Sequence, residues 1–394
     1  MNYTRTKIAC YIGYFVQAII VGFMPLLFIT FNKDYGISFE KLGGLSIIIF
    51  LVQLLVDVVS IKLLKYVGYR GGAMLAHISA VIGFIMLAIL PELMDNKYLS
   101  IVLSGIVFSV GGGLIEVIIS PIIEYLPTKN KSAQMSLLHS FFCWGSVLTV
   151  AGTTALFAAF GRENWRWVSL LWAAISLANF FLFLRAPIIE PEVEKSAEKN
   201  KDMLRSPLFY ALMLLMLAAG ASEISVSQWA SAFAEAGLGL PKVMGDLLGP
   251  CAFALLMGIG RLFYGLFGSK IRVESIMLVC GIFCLCCYML MVLNIHPLLS
   301  LVACALTGLS VSVMWPGALS LSASRFPLGG TLLFGCAAAF GDSGCSVGPW
   351  MMGFMSEHHS MQSGFLLCSI FPIIIIVVAA FLKYGCKTKQ NVLK

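Results

Sequence analysis

Twelve apolar stretches fill this sequence, and only short polar segments separate most of them. A helix needs about 20 predominantly apolar residues to cross a bilayer, and each stretch meets that length. They run roughly over 8–31, 42–64, 72–93, 99–123, 133–160, 165–184, 207–233, 243–267, 273–293, 297–324, 329–355 and 362–383. Of the 394 residues, 59% are hydrophobic and only 11% are charged, and the mean hydropathy is +0.93. Soluble domains carry about 25% charge, so this chain cannot cover a water-facing surface. Lipid must be its outer solvent, and the fold class is an all-α membrane protein.

One segment breaks the pattern. Residues 185–206, RAPIIEPEVEKSAEKNKDMLRS, are charged and poor in apolar side chains, and read as a solvated linker. The chain divides into a six-helix bundle at 1–184, the linker at 185–206, and a second six-helix bundle at 207–394. With the N-terminus inside, 19 Lys and Arg fall in inside segments and 6 in outside ones. The positive-inside rule then places both termini and the linker in the cytoplasm. The expected location is the inner (plasma) membrane, with the chain acting as a monomer.

The net charge of +7 does not point to nucleic acid, because the basic residues lie between apolar blocks with no basic–aromatic stripe. Most of the 12 cysteines lie in apolar segments. Cys280, Cys284 and Cys287 share a helical face, with no His or acid beside them, and read as packing rather than a metal site. The first apolar block is too long for a signal peptide and lacks its cleavage pattern. No P-loop, HExxH or GxSxG occurs, so the sequence suggests neither an enzyme nor a cofactor.

The two halves echo one another. Gly113 and Pro121 of the fourth stretch recur at the same separation as Gly308 and Pro316 of the tenth. Parallel repeats of this kind build the halves of major facilitator transporters, so two pseudo-symmetric six-helix bundles are expected.

A few ionisable and polar residues lie at bilayer depth, where each costs about 2.5–3.5 kcal/mol if charged. Glu116 is the sharpest, in GGGLIEVIIS of the fourth stretch. Desolvation disfavours its charged form, which suits a proton carrier. Asp342, in AAFGDSGCSVGPW, is a second proton-coupling candidate. In GASEISVSQWASAF, Glu223, Gln228 and Trp229 offer an acid, an amide and an indole for a hydroxyl-rich solute. Gln17, His139 and Trp315 complete the cavity-lining candidates, Trp315 preceding Pro316 at an expected kink. Asp57 and a loop cation such as Arg70 are gating candidates, with Gln53 one turn from Asp57. For each of these, packing or a hydrogen bond between helices is the competing reading.

The segment GGGLIEVIISPIIEYLPTKNKSAQMSLLHSFFCWGSV resembles the fucose–proton symporter branch of the major facilitator superfamily. GASEISVSQW is similar to a pattern of its sugar-type members. The resemblance implies that Glu116 is the proton-coupling carboxylate. It also implies that Ser120 stands where the branch has Asn, and that His139 matches a polar position. The branch's acid in the first helix has no counterpart; VGFMPLLF stands there. The expected function is secondary active transport by alternating access. Its cargo is a small polar solute such as a sugar, moved with protons or sodium. An exporter of drugs or amphiphiles, or a non-transporting sensor on the same fold, are the alternatives.

Overall fold

The computed structural model describes residues 3–124, 126–127, 131–189, 201–267, 272–326 and 330–385. The centre of the expected linker, 190–200, and the basic tail beyond 385 lie outside them. Among the described residues there is no strand. Among the described residues, eleven helices are long and apolar enough to cross a membrane. They are α1 (Thr4–Tyr35), α2 (Phe39–Ser60), α3 (Tyr66–Leu93), α4 (Lys97–Ile123), α5 (Leu137–Phe160) and α6 (Arg162–Arg185). After these come α7 (Pro207–Gly237), α8 (Lys242–Tyr264), α9 (Val273–Leu293) and α10 (Pro297–Ser322). The helix α11 (Gly330–His358) has the length for a crossing, 29 residues, but Asp342 and several Gly and Ser dilute its apolar run. The chain closes with α12 (Met361–Tyr384). All twelve expected helices are present, so the chain is a multi-pass membrane protein. An even number of crossings puts Tyr3 and Tyr384 on one side, called here the near side; the other is the far side.

The ends of the helices follow local chemistry. Gly36 takes φ 63° at the end of α1, and Gly68 takes φ 65° at the kink near the start of α3. A side chain rarely tolerates that conformation, so glycine marks both corners. The Ser38 side chain caps α2 by accepting from Lys41 N, and Ser360 caps α12 by accepting from Ser363 N. Pro25 interrupts α1 with a tight turn at Met24–Leu27.

Packing depends on small residues, since lipid offers helices no hydrophobic drive toward one another. A methyl group at Gly344 of α11 would collide with the Leu217 carbonyl of α7, and Gly220 abuts Gly341 in the same seam. Helices α1–α6 pack among themselves, as do α7–α12. The two sets meet along α2 and α11, α5 and α8, and α1 and α7. On the α2–α11 seam, a Cβ at Gly43 would lie 2.8 Å from the Pro349 carbonyl, so backbone meets backbone across the halves.

Candidate functional site

Polar side chains from both helix sets converge along this seam, between mid-depth and the near side. Glu116 of α4, Asp57 of α2 and Asp342 of α11 lie within electrostatic reach of one another. Asp342 is 4% exposed, while Glu116 and Asp57 are half-buried. No ion pair joins any of the three among the described residues. Asp57 Oδ1 and Asp342 Oδ2 accept no hydrogen bond. One turn from Glu116, the bare backbone of Gly112 makes room for two amides. A Cβ there would collide with Gln53 and lie 2.9 Å from Gln17 Oε1. Gln17 Oε1 and both amide atoms of Gln53 are buried without partners. A buried polar atom left unpaired costs about 1–3 kcal/mol, and here several share one region.

A second group gathers beside this one. Arg261 of α8 extends Nη2 to Glu223 Oε2 of α7 at 3.3 Å, and Nη1 to Cys143 Sγ of α5 at 3.6 Å. Its Nε has no partner. Tyr14 of α1 shares a hydrogen bond with Ser120 of α4 at 2.9 Å, and its ring meets His139 of α5 edge-on at 5.1 Å. Both Tyr14 and His139 lie within the field of Arg261. The His139 side chain has an exposed face.

Apolar side chains roof the site. Trp315 presses against Gly341, next to Asp342, and joins Phe142 in a small cluster with Val21, Phe50, Ile224 and Cys345. Beyond it lies a cavity of about 50 Å³ whose wall includes Glu223, Ser227, Gln228 and Ser146.

The far side is shut. Ser46 of α2 donates a short hydrogen bond to Gln228 of α7. Asp246 of α8 has no exposure; it accepts from Thr154 of α5 at 2.9 Å, from Ser231, and from Lys242 at 3.1 Å. Lys242 also donates to the Leu26 carbonyl of α1 at 3.1 Å. Glu235 takes Lys33 and Arg162 from the other set, and Glu357 accepts from Phe39 N at 2.7 Å.

Of the residues read from sequence, the structure brings together Gln17, Asp57, Glu116, Ser120, His139, Glu223, Trp315 and Asp342. Two expectations are corrected. Trp229 does not face the cavity. It is fully buried, donates to the Pro349 carbonyl at 3.1 Å, and is wedged against Phe28 and Phe39 in the far-side closure. Arg70 is not a partner of Asp57. It donates to the Leu184 carbonyl at 2.7 Å and so ties down the end of α6. Gln228 lines the small cavity but spends its carbonyl on Ser46. The sequence reading omits Arg261, Tyr14 and the Lys242–Asp246 pair as site residues. Arg261 is the one with a usable signal, a single cation within AFALLMGIGRLFYGLF.

Residues 10–329 and 251–391 match the sequence profile described as Major Facilitator Superfamily. No curated protein sequence matches the chain. Among solved structures, a D-xylose–proton symporter aligns with a TM-score of 0.80 at 14% identity, covering 97% of each chain. A variant of the E. coli fucose:proton symporter aligns at 0.66 and 13% identity, covering 97% of this chain and 99% of that one. That symporter in an outward conformation aligns at 0.66 and 14% identity, with the same coverage.

Proposed function

The chain belongs to the major facilitator superfamily of transporters, and from that premise we propose that it is a proton-coupled symporter of a small polar solute such as a sugar, working by alternating access. One observation carries this reading most. The carboxyls of Glu116, Asp57 and Asp342 come from both helix sets and lie within electrostatic reach of one another, with no ion pair to a cation among the described residues. A group so placed changes its surroundings whenever the halves rock, and its charge is tolerable only when water or a partner reaches it. Glu116 and Asp342 are the proton carriers in this reading. Gln17, Ser120, His139, Glu223 and Trp315 contact the solute. Residues 1–184 and 207–394 are the rocking bundles, 185–206 tethers them, and the 19-to-6 charge split supports a cytoplasmic near side.

The names of the structural neighbours, a xylose and a fucose symporter, support the sugar class. Uptake of a panel of labelled sugars into proteoliposomes, with and without an inward proton gradient, tests it. The expected result is accumulation that collapses with the gradient. Uptake that equilibrates identically under both conditions would sink the proton-coupled reading.

A further inference from the structure

Arg261 is poorly satisfied for a guanidinium at bilayer depth. It has five N–H donors in a rigid fork, suited to two parallel bonds with one carboxylate. Glu223 gives it a single contact at 3.3 Å, longer than the usual 2.7–2.9 Å of a charge-assisted bond. The thiol of Cys143 is a weak acceptor at 3.6 Å, and Nε has none. An arginine kept only to hold α7 to α8 would be expected in a bidentate pair, because a loosely held charge is costly there. Its side chain is 21% exposed and reaches from α8 across to α5, so it stands where the two sets meet.

We propose that the cargo carries a carboxylate, and that Arg261 binds it in the place Glu223 now holds. The inference rests on the symporter reading and narrows its substrate from a sugar to a sugar acid, a uronate or aldonate. The same arrangement supplies a coupling step. When the cargo's carboxylate takes the guanidinium, Glu223 loses its counter-ion inside a site that also holds Asp57, Glu116 and Asp342. The added negative charge draws a proton from the open side onto Glu116, so anion and proton travel together with no net charge. The other polar groups facing Arg261, Tyr14 and His139, can serve the hydroxyls of the same solute.

The test uses the purified full-length protein in two assays. Ligand-induced thermal stabilisation in detergent compares D-glucuronate and D-gluconate with D-glucose and L-fucose. Proteoliposome uptake repeats the comparison with labelled solutes. The acids should be preferred by about tenfold or more, the scale of one lost charge-assisted bond. Arg261→Gln should remove that preference while the protein still melts cooperatively. Arg261→Lys should restore only part of it, because an ammonium cannot bind two oxygens in a fork. Glu223→Gln, which leaves Arg261 without a rival anion, should tighten acid binding. Preference for neutral sugars, unchanged in Arg261→Gln, would overturn the carboxylate inference and leave the symporter reading standing. Gradient-independent uptake of every solute would overturn both.

Discussion

Lys242 reaches the backbone carbonyl of Leu26, 3.1 Å away, at the turn where Pro25 breaks α1. The break frees a carbonyl that a continuous helix would have used, and a cation from the opposite helix set takes it. The same ammonium is bonded to the fully buried carboxylate of Asp246, which also holds Ser231 and Thr154. Four helices are thus fastened at one point on the far side.

Lys242→Met should therefore open the far side. Removing one partner from a buried ion pair costs about 3–5 kcal/mol, and here the cost falls on the closed state alone. A cysteine placed at Ser46, which is 1% exposed, reports the change. In Lys242→Met it should react with a membrane-impermeant maleimide added at the far face. Labelling no faster than in the Lys242 protein would exclude this fastening as a gate.

Trp229 should matter through its bulk more than its hydrogen bond. Its ring fills the gap between Phe28 and Phe39, and its indole N–H meets the Pro349 carbonyl at 3.1 Å. Trp229→Ala should cost about 3–5 kcal/mol by leaving a cavity. Trp229→Phe should lose only about 1 kcal/mol with the bond. Melting of the purified protein should rank the two accordingly, and equal losses would contradict the packing role.

The helices were legible because bilayer thickness imposes a length that hydropathy displays directly; all twelve appear within six residues of their expected ends. Glu116 and Asp342 stood out for the same reason, as lone acids in apolar text. That they lie within electrostatic reach of one another was not legible, because the approach of α4 and α11 depends on how two distant segments pack. Trp229 was misread because sequence gives depth without direction, and its side of α7 faces the closure rather than the cavity. Asp246 was invisible for the opposite reason. It sits close to a helix start, where an acid ordinarily meets water, and only the tertiary fold buries it.

The seam between α7 and α11 should tolerate no side chain at Gly344. A Cβ there would collide with the Leu217 carbonyl, which is backbone and cannot swing aside. Gly344→Ala should lower the melting temperature by several degrees, as overpacking by about 1–3 kcal/mol would. Gly335→Ala lies in the same helix with nothing within 4 Å, and should be neutral or slightly stabilising. Equal melting of the two variants would show that the seam can spread.

Glu116→Gln should separate exchange from accumulation. The amide has the shape of the protonated acid but cannot release a proton, so the halves should still rock with cargo bound. Labelled solute inside proteoliposomes should exchange with unlabelled solute outside at a rate near that of the unmodified protein. Accumulation driven by a proton gradient should vanish, because the cycle no longer carries a proton whose release depends on which side is open. Asp342→Asn offers the comparison within the same cluster. It removes the neighbouring carboxyl on α11 and leaves the α4 carboxyl in place, so it should weaken accumulation rather than abolish it. If Glu116→Gln still concentrates solute to the unmodified level while Asp342→Asn does not, the coupling proton belongs to α11, and Glu116 serves only to set the field around it.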